Sequence, residues 1–325
     1  MIRNLSLFFL LVLGVGFIYY GWHEQKLNFL NSTKSSSLTS PLPQLLTHAL
    51  PQVLGESNEY FKPKLDHVLP TKVKKPEITA ISAISYDLTT DTLIYSKNID
   101  RRLPIASLTK IMTATVSLEN SELTRKFTVS HAAANIGEDS MGLGEGEKLE
   151  LSDLLYGLML NSGNDAAEVL AEGSQFGRDN FVYLMNRKAE YLGLTNTHFT
   201  NPSGLEGDGN QYSTATDLVV MTRYALEKPY FAQVAQTYQH DIDATGEHKE
   251  YHLYNETNLL TSYPGVKGVK TGYTYEAGLC LVTYLDYEGH KIIAILLNAQ
   301  NRREEMKGLL DYSLKSIGVT PPAHQ

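Results

Sequence analysis

The sequence predicts an α+β fold: a central antiparallel β-sheet flanked by helices, with a helical subdomain. Three observations predict it. Two short apolar runs around a polar turn, 78–86 and 92–96, open the folded region as a hairpin. Three longer runs, 265–274, 277–284 and 291–299, close it with a turn at 286–289 that again reads as antiparallel. Between these two groups the apolar residues recur at helical spacing, as in Leu151, Leu154, Leu155 and Leu158.

Taken in order, the chain starts with a short stretch, 1–4, that carries the amino terminus and Arg3. Residues 5–22 then run for 18 positions without a charge. At about 1.5 Å per residue a helix of that length spans on the order of 27 Å, near the hydrocarbon thickness of a bilayer. The run ends in Tyr19, Tyr20, Gly21 and Trp22, interfacial residues with no small-x-small cleavage site. This predicts an uncleaved single-pass anchor in a cell membrane, with a cleaved signal peptide as the alternative. Arg3 and the free amine favour 1–4 on the cytoplasmic side and the remainder outside, although Lys26 weakens that bias.

Residues 23–76 carry prolines at 41, 43, 51, 63, 70 and 76, which break every apolar run, so the segment reads as an extracytoplasmic linker. Enough leucine lies in 38–54 and 60–69 to pack a turn of helix. The folded domain is expected over 77–318 and a tail over 319–325. Within it the hairpin leads to the stretch Pro104–Ala114, where Ser107 and Lys110 lie at the start of a helix; further helices are expected from about Ser152, at 164–172, 181–192, 216–226 and 302–317. Composition is globular, with 42% apolar residues, and a formal charge of -8 argues against a sequence-independent grip on nucleic acid. Cys280, the single cysteine, sits in an apolar strand-like run and reads as a packing residue.

The chemistry concentrates in three distant fragments. Ser107 and Lys110 lie three apart at a helix start, so the amine can reach the hydroxyl, and the free N–H groups of the helix end favour developing negative charge there. Alone, this spacing describes many solvated helix starts. Ser162-Gly163-Asn164 and Lys270-Thr271-Gly272 follow in that order and overturn the bland reading, because the three resemble the motif set that class A β-lactamases and penicillin-binding proteins carry in a Ser-Asp-Asn form. A serine hydroxyl needs a base, and a lysine titrating near 10.4 must be depressed to serve. A second cation about 5 Å away, at an effective dielectric near 20, contributes roughly 3 kcal/mol, on the order of two pKa units. Lys270 is the candidate for that push, and burial adds to it.

With these fragments and the connectors Asn201-Pro202-Ser203-Gly204-Leu205 and Tyr212–Leu218, the chain resembles the serine-type D-alanyl-D-alanine carboxypeptidases, the low-molecular-mass penicillin-binding proteins of peptidase family S11, from about Thr79 to Gly318. The resemblance implies a β-lactamase/transpeptidase-like fold and a membrane-anchored enzyme, facing the cell wall of a bacterium, that removes the last D-alanine from a peptidoglycan stem peptide ending in D-Ala-D-Ala. It implies an acyl-enzyme on Ser107, trapped by β-lactam antibiotics. It implies that Ser162 relays a proton and that Asn164 holds Lys110 and a substrate carbonyl. It also implies that Lys270 and Thr271 contact the terminal carboxylate, that Gly272 lets substrate backbone approach, and that the N–H of Tyr273 completes an oxyanion hole with that of Ser107. Removing one such donor typically costs about 3 kcal/mol.

Arg302 is the best match to an arginine that assists carboxylate binding in relatives, with Arg303 beside it; the segment Asn255-Glu256-Thr257-Asn258-Leu259-Leu260 lacks the arginine some relatives carry there. Eight residues follow Ile317, which implies a member without the second β-domain and terminal anchor of many relatives. No cofactor or metal is expected: His248 and His252 lack the zincin order, and Gly142–Gly146 lacks a phosphate-loop pattern and reads as a turn. Asp165 reads as a helix-start charge. A DD-endopeptidase or transpeptidase, a serine β-lactamase and a non-catalytic β-lactam sensor are the alternatives on the same residues.

Overall fold

The structure, a computed structural model, describes residues 60–257 and 259–324. Five strands form one antiparallel sheet: β1 (Ser82–Asp87), β2 (Thr92–Lys97), β7 (Val266–Thr274), β8 (Gly278–Tyr287) and β9 (His290–Ala299), in the order β2-β1-β9-β8-β7. The first hairpin thus pairs through β1 with the last strand, Ser82 facing Leu297 and Asp87 facing Ile292. Residues Ile292 to Leu297 of β9 are all buried, the pattern of a central strand covered on both faces. On one side Ile292, Ala294 and Leu296 pack in a cluster with Met306, Leu309 and Leu310 of α9 (Arg302–Ser316). The other side is covered by the helical part of the chain.

That part starts with a 3₁₀ turn, Ala106–Thr109, which runs directly into α1 (Lys110–Asn120). Next come β3 (Lys126–Thr128), α2 (His131–Ala134), β4 (Lys148–Glu150), α3 (Leu151–Met159), α4 (Asn164–Glu172), α5 (Arg178–Tyr191), α6 (Ala215–Leu226) and α7 (Pro229–Gln236). The small hairpin β5 (Gln239–Ile242) and β6 (Tyr251–Tyr254) and the short α8 (Leu259–Ser262) return the chain to the sheet. The expected α+β architecture is therefore present. α4 keeps its expected bounds, and α6 gains one residue, capped by the Thr214 side chain accepting from the N–H of Asp217.

Two expectations need correction. The turn expected over four residues between the last two strands is a two-residue one: β8 runs to Tyr287 and β9 starts at His290, with Glu288 at φ +48° and Gly289 at φ +81°, the signs of a type I′ hairpin. The linker expected to reach residue 76 docks earlier. From Tyr60 onward it lies on the domain: the N–H of Leu69 donates to Leu93 O at 2.8 Å, and the Arg223 guanidinium lies 3.9 Å from the Phe61 ring centroid. Among the described residues no helix is long and apolar enough to cross a membrane, and the span expected at 5–22 lies outside them.

Candidate active site

The edge strand β7 faces the 3₁₀ turn that carries Ser107. In a 3₁₀ turn side chains three apart eclipse, which stacks Lys110 over Ser107 more directly than an α-helix does. Lys110 is fully buried, and its Nζ lies 2.8 Å from Ser107 Oγ, 2.7 Å from Asn164 Oδ1 and 2.9 Å from the carbonyl oxygen of Ser203. Two of these partners can only accept, whereas a hydroxyl can also donate. A neutral amine therefore fits the site by giving its two hydrogens to Asn164 and Ser203 and presenting its lone pair to the Ser107 O–H. Burial, and next the positive charge of Lys270, hold the Lys110 pKa well below the usual lysine value.

Asn164 begins α4 and is held at three points. Its N–H donates to Asp139 O at 2.8 Å, its Nδ2 donates to Gly137 O at 3.0 Å, and its Oδ1 receives Lys110. Ser162, two residues before it, is buried with φ +57°, a left-handed conformation uncommon outside glycine. Its hydroxyl makes no hydrogen bond among the described residues.

Lys270 is buried on β7, and its pKa is pushed down to about 8 by desolvation, opposed by Glu256 and Asp139 and helped by Arg302. Thr271 Oγ1 donates to Glu256 Oε2 at 3.2 Å. Gly272 lies against the nucleophile turn: a Cβ there would sit 3.0 Å from Ile105 O and 3.2 Å from Ser107 N, so only a bare backbone keeps this spacing. Tyr273 pairs in register with Leu279 and is 58% exposed near the end of the strand. Arg302, at the start of α9, donates to Gly272 O at 2.8 Å and Cys280 O at 3.4 Å. It braces the same edge strand, whereas Arg303 is an exposed charge near Glu304. Ser107, Lys110 and Asn164 are thus joined by direct contacts, and Lys270 and Gly272 lie on the facing strand, which Arg302 braces from α9.

Several contributors were missed by sequence reading. The connector 201–205, expected to do turn chemistry, does so through Asn201 Oδ1, which accepts from the N–H of Gly204 at 2.7 Å. It also delivers the Ser203 carbonyl to Lys110. Gly204 has φ +91°, and a Cβ on it would lie 2.0 Å from Ala106 O. Asp165 does more than charge a helix start, because its carboxylate accepts from the N–H groups of Met141, Gly142 and Leu143 and from the Ser140 hydroxyl. The glycine-rich turn expected at 142–146 is thereby tied to the first turn of α4. Nothing in a backbone carbonyl's identity announces such a role; the clue for Asp165 was its place beside Asn164.

The remaining candidates stay outside the site. Cys280 is buried with its thiol pushed up to about 11 by desolvation. His252 pairs with Asp241 on an exposed hairpin, and among the described residues no group of His, Cys, Asp and Glu is arranged to hold a metal.

Known proteins resemble this chain in sequence and in overall fold. The chain is 34% identical over 250 residues to the D-alanyl-D-alanine carboxypeptidase DacF of Bacillus subtilis, covering 74% of this chain and 64% of that one. It is 37% identical over 243 residues to a D-alanyl-D-alanine carboxypeptidase of Streptomyces sp. strain K15, covering 70% and 83% of the two chains. The solved structure of the Streptomyces K15 DD-transpeptidase superposes with a TM-score of 0.71 at 34% identity, covering 75% of this chain and all of that one. The α+β fold and these relatives together define a serine peptidase with a penicillin-binding-protein fold. The chain belongs to the D-alanyl-D-alanine carboxypeptidase family, peptidase S11, whose model matches residues 70–301.

Proposed function

We propose that this protein removes the terminal D-alanine from peptidoglycan stem peptides through an acyl-enzyme on Ser107, and that penicillins acylate the same oxygen. The observation that carries this reading is the Lys110 amine, buried between two acceptor-only oxygens and the Ser107 hydroxyl. Lys110 takes the serine proton as Oγ attacks the penultimate D-alanine carbonyl; the proton returns, by way of Ser162, to the departing amine, and water then releases the acyl group. The N–H groups of Ser107 and Tyr273 receive the developing oxyanion, and Lys270, Thr271 and Arg302 attract the terminal carboxylate. The Streptomyces relative's description as a DD-transpeptidase supports a second reading, in which an amine replaces water as acceptor.

Anchoring through 5–22, with the catalytic domain on the outer side of a bacterial membrane, belongs to the same proposal and rests on the uncharged run and Arg3. One experiment tests the core of it. The full-length protein in detergent, wild type beside Ser107→Ala, is labelled with a fluorescent penicillin and assayed for D-alanine release from a pentapeptide with and without an acceptor amine. Both signals are expected in the wild type and neither in the variant; a labelled variant rules out Ser107 as the nucleophile. Cross-linked product in place of free D-alanine selects the transpeptidase, and penicillin destroyed over many turnovers selects a β-lactamase.

A further inference from the structure

Thr271 has one hydroxyl proton, and in this structure it goes to Glu256 Oε2 at 3.2 Å. Glu256 is exposed at the rim, on the segment that follows β6, and its N–H is tied to Leu160 O at 3.3 Å, just ahead of Ser162. Its carboxylate therefore stands at the junction of the two fragments that flank the cleft. It is also within electrostatic reach of Lys270, Lys110 and Arg302. A carboxylate at that place offers these groups what the end of a peptide offers them.

We infer that Glu256 is a specificity-determining residue that competes with the substrate's terminal carboxylate for the Thr271 proton and for the cations beside it. The inference rests on the proposed carboxypeptidase reading, which brings a carboxylate to Thr271. While Thr271 donates to Glu256 it can only accept from an incoming group, and a second carboxylate has nothing to give. Binding then requires Glu256 to swing away, and like charges add to the requirement. Because Glu256 is exposed, water takes up the displaced carboxylate and screens the repulsion, so the competition is modest. It selects against ligands that hold the strand weakly and does not close the site.

The test uses the full-length protein in detergent, as wild type, Glu256→Gln and Glu256→Ala. Release of the last residue is followed from an acyl-D-Ala-D-Ala peptide and from the same peptide with a terminal amide. The assay is run at about pH 6.5, below the value of about 8 that Lys270 has in the wild type, and is repeated at a lower pH for the variants, which lack the Glu256 charge that helps Lys270 keep its proton. Glu256→Ala is expected to lower KM for the acid by about three- to tenfold and Glu256→Gln, which loses the charge but keeps an acceptor for Thr271, by less, with kcat within about twofold and KM for the amide unchanged. In a Thr271→Val background most of the gain disappears. An unchanged or raised KM for the acid in both variants overturns the competition, a raised one assigning Glu256 instead to support of the strand. A wild type that releases nothing from the acid peptide overturns the carboxypeptidase reading itself, which separates the two failures.

Discussion

Lys110 and Lys270 need opposite charge states in the proposed reaction. Lys110 must lack its proton to accept one from Ser107, and burial beside Lys270 moves it in that direction. Lys270 must keep its proton to attract a carboxylate, and its value lies at about 8. In the free enzyme kcat/KM should therefore rise with pH as Lys110 deprotonates and fall as pH passes about 8, where Lys270 loses its charge. Lys270→Arg, permanently charged, should lose the descending limb, and a wild-type profile still climbing near pH 10 counts against the assignment. The same depression has a stability consequence. The unfolded chain binds the Lys270 proton up to about 10.4, so between about 8 and that value the unfolded state holds more protons and stability rises with pH; the penalty is present in full below about 8. Lys110→Met should lower penicillin acylation by about 10²- to 10⁴-fold, the range of a lost general base, measured by labelling rate. Ser107 and Lys110 were legible because their relation is local, three positions on one turn. The Ser203 carbonyl and Glu256 were not, because one is backbone and the other an ordinary exposed acid until tertiary structure sets it beside Thr271.

Among the elements, the turn before α1 and the loop tied to α4 hold the two sides of the cleft. The sequence places a helix start within Pro104–Ala114, and the structure has one at Lys110; the 3₁₀ turn that leads into it was not foreseen, and Ala106 enters that turn at φ +48°, a conformation that periodicity does not encode. That turn is clamped between Gly272 and Gly204. Gly204→Ala should disturb it in two ways: the residue has φ +91°, and a Cβ would overlap Ala106 O. An expected loss of about 2 kcal/mol or more in denaturant unfolding should accompany a fall in acylation rate larger than stability alone explains. Asp165→Ala should act on the opposite wall, freeing the 140–143 backbone that its carboxylate collects. Strand bounds were legible where both faces are buried, as in β9, since a continuous apolar run has one reading. The last hairpin was misjudged because Asp286 and Tyr287 look like turn residues but still pair, with Lys291 and His290.

For the whole molecule, the sheet joins the first hairpin to the last strand, so contacts between β1 and β9, more than 200 residues apart in sequence, hold the part of the chain that carries Ser107 and the part that carries β7 in one sheet frame. The segment from Tyr60 to Pro76 is fastened to this frame. The Lys64 N–H donates to Tyr86 Oη at 2.9 Å, Tyr86 hydrogen-bonds Asp91, and Phe61 lies between the Tyr86 ring, 6.1 Å away, and Arg223. Composition gave no sign of this, because prolines and lysines describe a tether equally well whether or not partners for Phe61 exist elsewhere. If the segment is a structural clasp, removing its aromatic anchor should cost stability without touching the chemistry. Phe61→Ala should lower unfolding free energy by about 1–3 kcal/mol, less than a fully buried phenylalanine because Phe61 is half-buried, and shift the urea midpoint with m nearly unchanged. The rate of penicillin acylation below the unfolding transition should stay within about twofold of wild type, since Phe61 contacts Tyr86 and Arg223 and none of the residues around Ser107. An acylation rate that falls in step with docking would instead make the segment part of the cleft's support.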